Sequence, residues 1–208
     1  MSDDRASDDD DPAAHAERMR ALKKVQRAKV AGTEDPGRGL VLVHTGEGKG
    51  KSSSAFGVVA RALGWGKRVA VVQFIKGTWK TGEKAFFARF PDELDWHVMG
   101  EGFTWETQDR ERDVAAATAA FDKAVELMGG GEFDLVVLDE IHIALRYGYL
   151  EPDAVVSGIG ARDARTSVVT TGRDAPDALI EAADTVTEMR EIRHAFKAGI
   201  RAQKGIDF

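Results

Sequence analysis

The chain has 208 residues, of which 43% are hydrophobic and 31% charged, a composition typical of an ordinary globular protein and not of a disordered, collagenous or membrane chain. Its 29 lysines and arginines against 35 aspartates and glutamates give a net charge of −6, so it lacks the basic excess of proteins that bind nucleic acids non-specifically. The absence of cysteine excludes disulfides, thiolate zinc sites, cysteine-ligated iron–sulfur clusters and cysteine nucleophiles.

The first 38 residues are predicted to lie outside the main domain. Residues 1–12 are rich in aspartate and poor in large apolar side chains, which predicts a disordered acidic tail. Residues 13–38 follow as an amphipathic helix and a glycine-containing linker. Because we find neither an apolar signal segment nor a run of about 18 apolar residues, we expect a cytoplasmic protein that is not bound to a membrane.

Short apolar runs alternate with helical patterns from residue 39 onward. Strands are predicted at 40–43, 68–75, 134–138, 166–171 and 184–189, of which the last two are more polar. Helices are predicted at 52–63, 109–128, 141–147, 152–159 and 176–183. This alternation predicts a single α/β domain over residues 39–208, with a parallel sheet that carries helices on both faces.

A glycine-rich segment between the first strand of this domain and the helix that follows predicts a phosphate-binding loop. It consists of Gly46, Glu47, Gly48, Lys49, Gly50, Lys51, Ser52 and Ser53. In such a loop the backbone N–H groups and the helix N-terminus hold phosphate, Lys51 supplies positive charge and the Ser52 hydroxyl supplies a magnesium ligand. Only three residues separate Gly46 from Gly50, one fewer than in the standard pattern. The fold is therefore predicted to be P-loop NTPase-like (RecA-like), with the nucleotide in an unusual pose.

Two carboxylates, Asp139 and Glu140, follow the apolar strand at 134–138. Ligands bind at the carboxyl edge of open α/β sheets, and carboxylate oxygens there suit Mg²⁺. The run Asp139-Glu140-Ile141-His142 also fits the Asp-Glu-x-His box of helicases. A single-lobe ATPase stimulated by nucleic acid is therefore the alternative function, although the acidic net charge does not favour it.

Two large aromatic residues, Phe103 and Trp105, lie in a glycine-containing segment just before the predicted helix at 109–128. Aromatic side chains in a loop suggest a planar or apolar ligand. Burial of one of them in the core is the alternative.

Several separated motifs, taken in order, resemble those of the ATP:corrinoid adenosyltransferases over residues 39–208. These motifs are Gly46 to Ser52, Val72 to Gly77, Gly102 to Thr107, Val137 to Glu140, Thr171 to Arg173, His194 to Phe196 and Gly205 to Phe208. The resemblance implies an enzyme of adenosylcobalamin synthesis or salvage that transfers the 5′-deoxyadenosyl group of ATP to cobalt(I) of a corrinoid. Triphosphate is the other product. Cobalamin, cobinamide and cobyrinic acid diamide all remain possible substrates.

The resemblance also implies how the nucleotide is bound. Lys51, Ser52 and the loop amides would stabilise the departing triphosphate, and Ser52 with Glu140 would hold Mg²⁺. Arg61 and Arg173 would add phosphate contacts, with surface or structural roles as the alternative for each.

For the corrinoid, the resemblance implies that Phe103 and Trp105 pack beneath the ring and exclude the lower axial ligand of cobalt. A separate reduced flavoprotein would supply the electron that reduces cobalt(II) to cobalt(I). The helix at 13–30 would act as a lid over the corrinoid site, with a solvated amphipathic helix as the alternative. The resemblance also implies a homodimer. A corrinoid carrier that ligates cobalt through a histidine, without catalysis, is a third class of function. It is not expected here, because aromatic displacement of a ligand and an ATP loop belong to catalysis.

Overall fold

The computed structural model describes residues 12–75, 81–99 and 109–207, and its contacts divide the chain into one unit that ends at Gly37 and another that begins at Arg38. In the first unit, α1 (Pro12–Ala31) is a 20-residue helix with no buried residue, which confirms the predicted helix. Apart from Pro12, the predicted acidic tail lies outside the described residues.

The unit from Arg38 onward is an α/β domain built on a six-stranded parallel sheet of order β3-β2-β4-β5-β1-β6. The strands are β1 (Val41–Thr45), β2 (Val69–Gln73), β3 (Leu94–Val98), β4 (Leu135–Asp139), β5 (Ser167–Thr171) and β6 (Thr185–Glu188). The helices are α2 (Lys51–Gly64), α3 (Gly82–Phe87), α4 (Arg110–Gly129), α5 (Ile141–Arg146), α6 (Pro152–Gly160) and α7 (Asp177–Glu181), and a 3-10 helix spans Phe196–Ala198.

The alternation of side chains along each strand places one apolar layer on each face of the sheet. Ala70 and Val72 of β2 join the core that includes α4, α5 and α6, whereas Val69 and Val71 join the core that includes α2 and α3. Since both faces are covered, the inner strands read as nearly continuous apolar runs. The predicted parallel sheet with helices on both faces is confirmed.

Three elements, α3, β3 and the short 3-10 helix, were not predicted from the sequence. Strand β3 lies at an edge of the sheet and buries only Leu94, so its sequence, Leu-Asp-Trp-His-Val, does not form an apolar run. It is nevertheless important for the site, because it places Trp96 beside β2.

The carboxyl ends of the parallel strands meet at one edge of the sheet. The segment that follows β1 is the predicted phosphate loop, β4 ends at Asp139 and β5 ends at Thr171. This topology gathers the polar residues that follow the strands. In the part of the chain that the structure describes, no helix combines the length and apolar character needed to cross a membrane.

Candidate active site at the carboxyl edge of the sheet

A cavity of about 380 Å³ opens at this edge. It is lined by residues 48–53 of the phosphate loop, by Asp139 and Glu140 after β4, and by Arg173 after β5. The structure therefore brings most of the predicted nucleotide-binding residues to one place. Arg61, on the last turn of α2, does not line the cavity.

The glycines of the loop allow it to pack tightly against the segment that follows β6. Gly46 has φ 95°, a conformation that side chains with a Cβ rarely adopt. At Gly48 a Cβ would come within 2.8 Å of the Met189 oxygen and of the Arg190 carbonyl carbon. The Gly48 N–H also donates to the Met189 oxygen at 2.7 Å. The shape of the loop is thus fixed by a segment that lies far away in sequence.

Lys51 is the buried cation of the site. It is the first residue of α2, is only 7% exposed, and donates through Nζ to the carbonyl oxygens of Gly46 at 2.8 Å and Gly48 at 2.6 Å. Burial lowers the pKa of Lys51, and the negative charge of Glu140 opposes this shift. The N–H groups of the first helical turn add positive potential, so the loop and the start of α2 together suit a polyphosphate.

Asp139 and Glu140 form the acidic side of the cavity. Asp139 is 4% exposed and accepts hydrogen bonds from Thr171 Oγ1 at 2.9 Å and Gln73 Nε2 at 3.0 Å. Burial and the charge of Asp139 raise the pKa of Glu140 to about 7, while Lys51 and Arg173 act in the opposite direction.

The oxygen donors of the cavity fit a hard cation such as Mg²⁺. The Ser52 side chain lines the cavity together with both carboxylates, and a cation would relieve the repulsion that disfavours ionised Glu140. No group of three or more His, Cys, Asp or Glu side chains that could hold a metal occurs within the described residues. A magnesium ion would therefore need oxygens from phosphate or water as well, which is its usual arrangement at nucleotide sites.

Arg173 lines the cavity from the loop that follows β5. Its Nε atom is 3.5 Å from a carboxylate oxygen of Glu47, and both side chains are about half exposed. The exposed pair leaves Arg173 able to turn toward an anion at modest cost.

His142, the last residue of the Asp-Glu-x-His pattern, does not line the cavity. It is fully buried, with Nδ1 3.0 Å from the Gly172 oxygen and Nε2 2.9 Å from Thr170 Oγ1. Because a carbonyl can only accept, Nδ1–H donates to Gly172 and Nε2 accepts from the Thr170 hydroxyl. Burial lowers the pKa of His142 to about 4, so this histidine is neutral and anchors the loop that carries Arg173.

Sequence analysis gave no role to two further residues of the cavity, Gln73 and Asp207. Gln73 ends β2 and bonds to Asp139, and Asp207 forms an ion pair with Lys49 of the phosphate loop. Both residues lie in motifs that carried the resemblance. Their contacts with Asp139 and Lys49 join segments that are distant in sequence, so they are seen only in the folded structure.

Residues 95–100 contain the pattern Asp-x-His-x-x-Gly, which is typical of corrinoid carriers that ligate cobalt through histidine. Its histidine, His97, lies in β3 and does not line the cavity. The Nε2 atom of His97 is buried without a hydrogen-bond partner among the described residues, and the charges near the ring include Lys123 and Glu126 of α4. The position of His97 in the sheet, and not the spacing of the pattern, argues against cobalt ligation.

The other two residues predicted for the site, Phe103 and Trp105, lie outside the described residues. They fall between β3 and α4, the elements that end at Val98 and begin at Arg110.

Comparison with known proteins identifies the family to which the chain belongs. The model of the ATP:corrinoid adenosyltransferase BtuR/CobO/CobP family matches residues 37–208. A corrinoid adenosyltransferase of Pseudomonas aeruginosa is 61% identical over 194 residues, which cover 93% of this chain and 95% of that protein. The corrinoid adenosyltransferase CobA of Salmonella typhimurium is 42% identical over 208 residues and covers both chains completely. A corrinoid adenosyltransferase of a Sinorhizobium species is 48% identical over 200 residues, or 95% of this chain and 93% of that protein. With its shortened phosphate loop and the motifs that follow it, the chain belongs to the ATP:corrinoid adenosyltransferase family.

Proposed function

We propose that this chain transfers the 5′-deoxyadenosyl group of Mg-ATP to cobalt(I) of a corrinoid and releases triphosphate. The observation that carries the proposal is the cavity that joins the shortened phosphate loop, buried Lys51 and two carboxylates in a member of this family. Membership in the family does not favour the alternative, an ATPase stimulated by nucleic acid.

In the proposed reaction, the electron pair of cobalt(I) attacks C5′ of the ribose. A cobalt–carbon bond forms, the C5′–O bond breaks, and its electron pair leaves with the triphosphate. The protein must therefore stabilise the negative charge that develops on the whole triphosphate. Buried Lys51 and the N–H groups at the start of α2 are suited to this task, because they lie at the cavity where the triphosphate is proposed to bind.

Ser52 and Glu140 would hold Mg²⁺, with Asp139 beside them. The ion would neutralise part of the charge on the triphosphate when bound. Arg173 would leave its exposed pairing with Glu47 to contact a phosphate oxygen. Arg61 has no role in this proposal, since it does not line the cavity.

Phe103 and Trp105 are proposed to pack beneath the corrin and remove the lower ligand of cobalt, which would make cobalt(II) easier to reduce. Replacement of either residue by alanine should abolish most activity when the assay starts from cobalt(II) and a reduced flavoprotein. The same variants should keep much of their activity with chemically prepared cobalt(I). Equal losses in the two assays would refute this role.

The proposal also includes a cytoplasmic homodimer that takes its electron from a separate reduced flavoprotein, with α1 acting as a lid. The support for a lid is the row of apolar side chains in α1 that stay about half exposed, among them Met19, Leu22 and Val25. Deletion of the chain through Val30 should weaken corrinoid binding. Unchanged corrinoid affinity would rule out the lid.

The decisive experiment is an anaerobic assay with Mg-ATP and chemically reduced cobalamin, cobinamide or cobyrinic acid diamide. We expect loss of the cobalt(I) spectrum, a light-sensitive cobalt–carbon product and one triphosphate for each product. Lys51→Met should abolish the reaction. Lys67→Met is the matched control, since Lys67 is a half-exposed lysine paired with Asp134 away from the cavity. No product, with phosphate release accelerated by RNA or DNA, would overturn the proposal in favour of the ATPase.

A further inference from the structure

Four side chains on neighbouring strands form a hydrogen-bonded row along the carboxyl edge of the sheet. Trp96 of β3 donates through Nε1 to Gln73 Oε1 at 2.9 Å, and Gln73 of β2 donates through Nε2 to Asp139 Oδ2 at 3.0 Å. From the other side, Thr171 of β5 donates to Asp139 Oδ1 at 2.9 Å. We refer to Trp96, Gln73, Asp139 and Thr171 as the carboxyl-edge row.

The register of the sheet explains why these side chains meet. Gln73 lies directly opposite Asp139 in the β2–β4 pairing, and Trp96 lies opposite Val71, two residues before Gln73. Residues two apart in a strand face the same side. All members of the row therefore face α2, whose Phe56 packs 5.3 Å from the Trp96 ring, between ring centroids.

The chemistry of the first donor fixes the direction of every bond in the row. An indole N–H can only donate, so Gln73 must turn its amide oxygen toward Trp96 and its NH₂ group toward Asp139. Asp139 then accepts from both neighbours. The Thr171 hydroxyl donates its hydrogen bond to Asp139, and its oxygen accepts from the backbone N–H of Glu140 at 2.9 Å. If the amide of Gln73 were reversed, oxygen would face the carboxylate and NH₂ would face the indole N–H.

The row ends on a backbone position that is strained. Glu140 has φ 63° and ψ 23°, in the left-handed region that residues with a side chain seldom occupy. The bond from its N–H to Thr171 helps to hold this conformation, which sets where the Glu140 carboxylate enters the cavity. The row thereby links the Trp96 ring, which packs on Phe56, to both acidic residues of the cavity.

We propose that Trp96 and Gln73 are positioning residues of the nucleotide site. Trp96, which does not line the cavity, orients the Gln73 amide, and the Gln73 NH₂ group in turn holds the Asp139 carboxylate, which lines the cavity beside Glu140. Held in this way, Asp139 would favour the binding of ATP that carries Mg²⁺. This inference deepens the proposed function and rests on it for the identity of the nucleotide. The carboxyl-edge row is proposed to favour the binding of Mg-ATP over the binding of metal-free ATP.

The test compares the binding of ATP with and without Mg²⁺ by calorimetry. Trp96→Phe keeps an aromatic ring against Phe56 but removes the only donor of the indole, and Gln73→Met keeps a side chain of similar length but removes both hydrogen bonds. We expect either variant to weaken Mg-ATP binding by about threefold to tenfold, the range for loss of one buried hydrogen bond, and to weaken binding of metal-free ATP by a smaller factor. Trp65→Phe, at a tryptophan that is 81% exposed, is the control and should change neither.

The double variant separates positioning from simple packing. If Trp96 acts through Gln73, the Trp96→Phe effect on Mg-ATP binding should vanish when Gln73→Met is already present, because the two residues belong to one chain of bonds. Additive effects on binding, or equal weakening of ATP with and without Mg²⁺, would overturn the inference.

A spectroscopic measurement reports on the row without any nucleotide. The indole N–H resonance that disappears in Trp96→Phe identifies Trp96 among the four tryptophans. This resonance should shift in Asp139→Asn, although Trp96 does not contact Asp139 in the row. An unshifted resonance would overturn the inference. If wild-type protein binds no ATP at all, the proposed function fails; if it binds ATP and both variants match it, only this inference fails.

Discussion

Gly48 shows at the scale of one residue how little room the phosphate loop has. A methyl group at this position would meet backbone atoms of Met189 and Arg190 at 2.8 Å, a distance that requires the backbone to move. We predict that Gly48→Ala weakens ATP binding by more than about tenfold, because the loop must shift away from the conformation that presents its N–H groups. Calorimetric titration with ATP measures the effect.

Gly57 provides the matched control for Gly48→Ala. It lies in the exposed part of α2, and a Cβ there would have no neighbour within 4 Å. Gly57→Ala should leave ATP binding unchanged and raise the free energy of unfolding by about 0.5–1 kcal/mol, the ordinary gain in a helix interior. Equal ATP affinities in the Gly48 and Gly57 variants would contradict the packing argument.

His142 makes part of the stability of the domain depend on pH. The pKa of His142 is about 4 in the folded protein because the ring is buried, whereas an unfolded histidine has a pKa of about 6.5. Below pH 6.5 the unfolded chain takes up a proton that the folded chain does not bind. The free energy of unfolding should therefore decrease as the pH falls from about 6.5 to 4, and this contribution should be constant above about pH 7.

A variant that cannot titrate at position 142 tests this prediction. His142→Asn should reduce the loss of unfolding free energy between pH 7.5 and pH 5 by about 2 kcal/mol, as measured by urea denaturation at the two pH values. The variant will be less stable at both pH values, so the difference between them is the diagnostic quantity. His15→Asn, at an exposed histidine of α1, is the control. A pH dependence equal to that of wild type in His142→Asn would show that another group is responsible.

At the scale of elements, one side chain at the N-cap stabilises the start of α4, a helix that packs on one face of the sheet. The Asp109 carboxylate accepts a hydrogen bond from the Arg112 N–H at 3.1 Å, which satisfies a donor that the first turn leaves free. Asp109→Ala should lower the free energy of unfolding by about 1 kcal/mol, the typical value of a cap. Asp109→Asn should restore most of that loss, since asparagine caps equally well. A loss of the same size in both variants, measured by urea denaturation, would exclude a capping effect.

The elements that could be predicted from the sequence are those whose burial produces a regular pattern of apolar residues. The inner strands β2 and β4 are buried on both faces and appear as apolar runs, and α4 shows helical periodicity. Strand β3 could not be predicted, because an edge strand with one buried residue has no such run. It forms a strand because its backbone pairs with that of β2.

The same distinction applies to the candidate site. The phosphate loop is a local feature, so its residues could be listed from a short stretch of sequence. The contacts of Gln73 with Asp139 and of Lys49 with Asp207 join segments that are far apart in the chain. Such contacts depend on sheet register and on the path of the last residues, which local patterns do not encode.

At the scale of the whole molecule, the order of the strands in the sheet differs from their order in the chain. Strand β1 carries the phosphate loop and comes first, yet it pairs only with β5 and β6, which come last. The loop itself rests on Met189 and Arg190, just beyond β6. Strand β2, in contrast, pairs with β3 and β4, its next neighbours in the chain, and only β4 among these three also pairs with a late strand, β5.

This order predicts how the domain refolds. Pairing of distant segments is slow because long loops must close first. In pulsed hydrogen exchange during refolding, the amides of β1 should become protected together with those of β5 and β6, and not before those of β2 and β4. Early protection of β1 alone would contradict this order.

On the ribosome, the strand that carries the phosphate loop leaves the exit tunnel long before its partners have been synthesised. A nascent chain that stops after β4 contains every residue of the loop but has neither neighbour of β1 nor the backbone of Met189 and Arg190 on which the loop rests. ATP therefore has no formed site on such a chain, and cannot act as a folding ligand until almost all of the protein has been translated.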